Sequence, residues 1–467
     1  MTKKSIFLIL FIPVFSIALE WKEFLNQSLT KSPQIQSILY DYEVLDAREK
    51  EFQFGLDWFL TVDVGLERDR QVSLTNTNFD LEESDLYSVN LRKSFLTGTD
   101  ISFDLRSDKL ESTATFLAAP RDGHFHSYLF TLEQNLWQNA FGAGLRKASQ
   151  GVQLETKIQK FELAERIEES LISGSDLYWQ AVLAYRRLIE SEAALNRYES
   201  LYKNVQNKAR VRYAAPGELA QVKAEFLSRQ RLAKVNRIEY EQRMVNLRIF
   251  LPGMNNTGLS LPKESPKYSI EIKLNAKPVD QTRAYQLADY RRQQKSYEAE
   301  SVSSLNQPRL AFVGQVGATG ANISTSASQE QLIEGRRPYW YMGIRFSHSF
   351  GENVQDTRAR KAKADALSQK IRSEMTINQL VEDLQLLTKN VEILEANLKV
   401  QQELLDSRRQ AVNELTRTFN QGRTDISFLI ESINRAEEAE VEQVRVRADL
   451  EMAYLRWLVL TDQLNLK

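Results

Sequence analysis

The sequence predicts a mainly α-helical chain with a membrane β-barrel part, built from a duplicated strand/long-helix repeat. Three observations carry this prediction: the order of elements recurs, apolar heptads run along the long helices, and apolar and polar residues alternate in the strands. The composition agrees, because 467 residues with only 18 Gly and 10 Pro favour long, uninterrupted helices.

Charge and thiol content exclude several function classes. The chain carries 61 Lys and Arg against 62 Asp and Glu, so it lacks the basic footprint of a dedicated nucleic-acid binder. It has no Cys, and therefore no disulfide framework, thiolate nucleophile, Cys-zinc site or lipidated Cys.

The N-terminus reads as an export signal at 1–18. Lys3 and Lys4 precede an apolar run from Ile6 to Ile17, and Ser16 and Ala18 are the small residues of a cleavage site after Ala18. The run is short for a spanning helix and contains Pro13. Loss of the two lysines leaves 59 basic against 62 acidic residues, a charge of -3.

The first copy of the repeat is 19–250. A helical stretch from Trp21 to Phe52 leads into strands at about 56–136, and a long helical hairpin at about 144–250 turns at Pro216 and Gly217. Next comes a connector, 251–279, holding Pro252, Pro262, Pro266 and Pro278. The second copy, 280–467, has a helix to Asn306, strands at about 309–350, and a hairpin at about 352–464 turning at Gly422. At about 69 residues each, the long helices would run roughly 100 Å.

Heptads explain why such helices are stable. Leu380, Leu384, Leu387, Val391, Leu394, Leu398, Gln401, Leu405, Arg408, Val412, Leu415 and Phe419 step by four and three, as in a left-handed coiled coil. The first copy repeats the seam from Ile167 to Ala209. Leu386, Ile393 and Val400 form a second, flanking stripe, which fits either a helical tube with neighbours on both sides or a two-stranded rod with some apolar exposure.

The strands carry a different period. Trp58, Leu60, Val62, Val64 and Leu66 alternate with Phe59, Thr61, Asp63, Gly65 and Glu67, which suits a lipid face opposite a polar lumen, or a half-buried soluble sheet. Trp58 and the cluster Tyr339, Trp340 and Tyr341 are candidates for an interfacial aromatic girdle. Four to six strands cannot enclose a lumen alone, so the membrane reading requires an oligomer.

The ordered combination resembles the TolC-like outer-membrane efflux proteins, the outer-membrane factors of tripartite efflux pumps and type I secretion systems. The resemblance covers essentially the whole mature chain. It rests on the duplication, the junctions "LWQNAFGAGLRKAS" and "SFGENVQDTRARKAKAD", and the turns "YAAPGEL" and "FNQGRTDISFLIES". It implies a homotrimer in the outer membrane of a Gram-negative bacterium, forming a β-barrel and α-barrel tunnel with a long periplasmic extension. It further implies export of small molecules or proteins with a periplasmic adaptor (a membrane fusion protein) and an inner-membrane efflux or ABC-type transporter. Outer-membrane lipid is then a partner and nucleic acid is not. A periplasmic coiled-coil adaptor or scaffold is the alternative, although an adaptor normally needs one hairpin and this chain has two.

The resemblance also points to the periplasmic tip as an aperture. Family members often place acidic residues six and nine positions past the tip Gly. Here those positions are Phe428 and Glu431 after Gly422, and Lys223 and Phe226 after Gly217, so only Glu431 keeps the acidic character. Glu431 reads either as a pore-lining charge or as a solvated helix face. Asp425 reads as a substitute carboxylate or an N-cap. Arg423 and Thr424 are candidates for adaptor docking or closed-state contacts, or are simply soluble loop residues. Gly217 and Gly422 suit turns needing positive φ. The first copy has an extra hairpin candidate, Leu86 to Arg106, beyond the family's usual two barrel strands per repeat.

Enzymatic signatures are absent from the sequence, and no catalytic residue, cofactor or metal is expected. Gly142 and Gly144 open a helix, but Lys147 occupies the third glycine place of a dinucleotide loop. His124 and His126 have no third or fourth ligand nearby in sequence.

Overall fold

The computed structural model describes residues 20–67, 81–112, 122–211, 217–253, 268, 272, 277–348 and 354–464. The expected leader, most of the connector, Pro216 of the first turn and 349–353 of the second strand-to-helix junction lie outside them. Two compact units are formed: Met1–Glu43, Phe161–Gln286 and Ile377–Lys467 make one, and Val44–Lys160 with Leu287–Thr376 the other. Each draws on both halves of the sequence.

Short helices α1 (Trp21–Lys31), α2 (Pro33–Asp41) and α3 (Ala47–Phe54) occupy the stretch expected to be one helix. Pro33 explains the first break. It lacks an N–H and disfavours helical geometry at Ser32, which is extended at φ -70° and ψ 121°. Strands β1 (Trp58–Glu67), β2 (Leu81–Ser94), β3 (Thr99–Ser112) and β4 (Asp122–Asn135) follow, then the hairpin of α4 (Ala143–Arg210) and α5 (Glu218–Phe250). The second half contributes α6 (Arg283–Leu305), β5 (Arg309–Asn322), α7 (Thr325–Ile333), β6 (Pro338–Ser347), and the hairpin of α8 (Val354–Asn420) and α9 (Ile426–Leu460). No described helix is long and apolar enough to cross a membrane.

In the helical unit, burial follows the heptads. Leu380, Val391, Leu398, Leu405 and Phe419 are buried, and so is Gln401, whose amide donates to the Ala439 carbonyl of α9 at 3.1 Å. A polar residue is tolerated in this seam because its donor is satisfied. Helix α4 meets α5 through Arg187–Glu239 and Arg237–Glu192, and meets α9 through Arg186–Glu440. Helix α9 in turn meets α8 through Arg409–Glu440. An aromatic core joins α1 to α4, with Phe24 stacked on Tyr178 at 5.0 Å and Trp21 near Trp179. Connector residues Tyr268 and Ile272 pack with Val391, Leu450 and Trp457. Tyr268 donates to the buried Glu451 at 2.5 Å and Arg447 pairs with it at 2.7 Å, so this interior carboxylate is compensated.

In the other unit, the described strands form one antiparallel sheet in sequence order, β1 to β6. The hairpin of β2 and β3 is integral to it, pairing β2 with β1 and β3 with β4. Helix α7, a short polar segment unforeseen in the sequence, packs on β4 and β5. Ser328 of α7 donates to the carbonyls of His124 and Gly320 at 2.9 Å.

Candidate functional site

The tip of the helical unit is held by a small apolar core. Tyr198 and Val205 of α4, Val222 of α5, Phe419 of α8, and Ile426, Leu429, Ile430 and Ile433 of α9 bury against one another. Around it lies a polar clamp that sequence reading missed, since its members are far apart in sequence. Arg229 of α5 donates to Glu437 at 3.0 Å and to Asn434 at 2.6 Å, and Arg197 of α4 reaches Glu437 at 2.7 Å. Tyr198 donates to Asn434 at 3.1 Å, with the Arg229 guanidinium 5.1 Å from its ring. Hydrogen bonds to ionised groups are among the stronger ones, so three helices are fastened here in one arrangement.

Both tip glycines have positive φ, 86° at Gly217 and 73° at Gly422, with open space where a Cβ would sit. Backbone geometry alone thus accounts for them. After Gly422 the chain closes back on α8, with Arg423 N–H donating to Thr418 O and the Thr424 hydroxyl to the Thr418 hydroxyl at 2.8 Å. Asp425 caps α9, its carboxylate accepting from Ser427 N–H at 2.8 Å. That bond also holds the Asp425 carboxyl below its ordinary range.

Glu431 is exposed and pairs with Arg435 one turn on, at 2.6 Å. Phe428, three residues earlier on the same helical face, is 66% exposed. Phe226, which holds in the first hairpin the place Glu431 holds in the second, is instead stacked on Tyr202 at 5.8 Å. The tip therefore presents an unpaired apolar ring beside a compensated charge rather than two bare carboxylates.

The sheet has two chemically distinct faces, which the register makes explicit. Leu60, Leu91, Phe103, Phe130, Val316 and Trp340 lie side by side across all six strands, and Val62, Val89, Leu105, Tyr128 and Ala318 form the next row. The opposite face carries Asn90 with Asp104, Ser88 with Asp63, and Thr131 with Gln315, all hydrogen-bonded pairs. Glu133 on that face pairs with Arg309 and Arg345.

Strand alternation also divides the expected aromatic cluster. Trp340 lies on the apolar face with Trp58, whereas Tyr339 and Tyr341 lie on the polar one, where Tyr339 donates to Gln315 at 3.2 Å. Successive residues of a strand point to opposite faces, so of this cluster only Trp340 shares the apolar face with Trp58. At the helix-proximal end, the Lys93 ammonium lies 5.3 Å from the Trp58 ring, within cation–π reach.

Among the described residues, no group of three His, Cys, Asp or Glu side chains is gathered as a metal would require. His124 and His126 share one face of β4, opposite Asn322 and Gly320.

An antiparallel meander with one apolar and one polar face is thus coupled in sequence to two very long helical hairpins. No protein-family model matches the chain, and no curated protein matches it in sequence. Solved structures do match in fold. The outer membrane protein VceC from Vibrio cholerae matches at a TM-score of 0.66 and 10% identity, over 94% of this chain and 96% of that one. The CmeC outer membrane channel of Campylobacter jejuni gives 0.68 at 12% identity, over 94% and 85%. The Neisseria gonorrhoeae MtrE outer membrane channel, in its open state, gives 0.63 at 12%, over 95% and 88%. The chain has the fold of the TolC-like outer-membrane channels.

Proposed function

We propose that the chain is one protomer of a homotrimeric outer-membrane exit duct, through which small molecules or proteins leave the cell with a periplasmic adaptor and an inner-membrane transporter. One observation carries this reading: the apolar face runs unbroken through six strands, while among the described residues neither outer edge of the sheet has a strand partner. Open edges cannot persist in hydrocarbon, where every backbone group must be satisfied, so further copies must close the sheet.

The helices support the same assembly. Val235, Ile238, Val245 and Ile249 stand exposed along α5, and Leu386, Ile393 and Val400 along α8, so the outer members of the helical row carry apolar seams of equal span. A seam on each side suits a ring in which α8 of one copy meets α5 of the next. At the tip, Phe428 and Glu431 would face the axis, and Arg423 and Thr424 would meet the adaptor. Opening requires the tip helices to move, and only a partner that binds the open form better can drive it.

Fractionation tests this reading. The chain is expected in the outer-membrane fraction, released by detergent as an oligomer that dissociates on heating in a gel. A soluble periplasmic monomer would refute it.

A further inference from the structure

The barrel wall is where this chain departs from the plan it resembles. We infer that three copies close an eighteen-stranded barrel, with the β2–β3 hairpin forming part of the wall and its polar face lining the lumen. The inference rests on the homotrimeric duct reading and adds the strand count, the register parity and the identity of lumen residues.

The hairpin is built into the sheet at both sides. Ten consecutive pairs join β1 to β2, from Trp58↔Lys93 to Glu67↔Ser84, and thirteen join β3 to β4. Its turn is also fastened to the end of β4 and to the residues just before α4. Asn135 N–H donates to Gly98 O at 3.0 Å and the Gln134 amide to Thr97 O at 3.1 Å. The backbones then approach so closely that a Cβ on Gly98 would lie 2.7 Å from Gly142 N, and one on Gly142 only 1.7 Å from Leu96 O. Both glycines have positive φ. Such a fit leaves no room for a side chain at either place and holds the hairpin in line with its neighbours.

The chemistry of the hairpin matches the rest of the wall. Val89, Leu91, Phe103 and Leu105 continue the apolar row, while Asn90, Arg92, Asp104 and Arg106 continue the polar one. On this face Arg106 is paired with Asp108, also of the hairpin, at 2.7 Å.

Closure by copies of the same chain follows from strand number and parity. A meander with an even number of strands ends on strands running in opposite directions, so β6 of one copy meets β1 of the next in antiparallel fashion. Both edge strands have ten residues. Both put their even-numbered residues on the apolar face, so an even-to-even register keeps the band continuous. Three sheets of six strands make eighteen; without the hairpin they would make twelve. Diameter grows roughly linearly with strand number, so the wall is about half again as wide, in the range that leaves an aqueous channel.

The absence of Cys makes the test clean. In full-length chain taken from outer membranes as a heat-dissociable oligomer, Asp63→Cys with Ser88→Cys and Arg106→Cys with Ser127→Cys are expected to cross-link within one chain. Asp63→Cys with Ser127→Cys, which would meet only if the hairpin left the wall, is expected not to. Single variants give an independent readout. Asn90→Cys and Asp104→Cys should react with a water-soluble, membrane-impermeant maleimide, whereas Val89→Cys and Leu105→Cys should be shielded by lipid. Cross-linking of the 63/127 pair without the other two, or equal labelling at both parities, would overturn the inference while leaving the duct reading intact. A chain that never forms the membrane oligomer would instead overturn the duct reading, and this inference with it.

Discussion

At the residue scale, a coupled pair of carboxylates between α4 and α9 sets a pH dependence. Burial first, and then the neighbouring Glu440, push the Glu190 carboxyl up from 4.5 to about 7. Against its own burial, the hydrogen bond with Glu190 first, and then Arg409 and Arg186, hold the Glu440 carboxyl below its ordinary range. A group whose pKa rises on folding binds its proton more tightly in the native state, so its stabilisation is complete below the unfolded value and is lost as pH climbs through the folded one. Stability from Glu190 should therefore decline between pH 4.5 and 7, and Glu190→Gln should remove that decline. Melting temperatures of the two proteins across this range check it; parallel profiles would reject the assignment. Glu431 offers a second residue-scale prediction. If it lines the aperture, Glu431→Ala frees the Arg435 guanidinium and shifts single-channel selectivity away from cations, whereas unchanged selectivity assigns it to a solvated face. The N-cap at Asp425 was one of the two readings the sequence offered, whereas Arg435 as the partner of Glu431 was not singled out. The Arg229–Glu437–Asn434 clamp was not, because its geometry depends on the tertiary meeting of α4, α5 and α9.

At the scale of elements, helix and strand types were largely readable because heptads and period-2 alternation are local signals. What pairs with what is not local. The sequence offered Leu86 to Arg106 as a hairpin candidate, but only the register shows it seated between β1 and β4. Likewise α7 has no apolar stripe to announce it, whereas the break at Ser32 was signalled locally by Pro33, against the expectation of one helix from Trp21 to Phe52. The flanking stripe on α8 was legible, and it remains exposed in the chain, Ile393 at 65%. Replacing Leu386, Ile393 and Val400 together by Ser should abolish the oligomer while leaving the fold intact, since each loses about 1.5–3 kcal/mol of burial available only from another copy. Sedimentation in detergent reads the oligomer and circular dichroism the helices. An intact trimer would show that α8 does not form the contact between copies.

At the scale of the whole molecule, the duct reading rests on two sets of edges: strand edges without a partner among the described residues of the sheet unit, and exposed apolar seams on the outer helices of the helical unit. In the proposed trimer, a heterologous contact repeated around a ring would cover both sets of edges. The sequence pointed to copies through strand number, because too few strands were available to surround a lumen, and through the second apolar stripe on α8, which fits a tube with neighbours on both sides. The central claim is that the assembled chain conducts through water. Planar-bilayer recording of the full-length, heat-dissociable oligomer tests it most directly. Discrete, long-lived current steps are expected, and they should grow in Arg229→Ala, which releases the tip clamp. A bilayer that stays silent with both proteins, although the oligomer has inserted, would contradict the account.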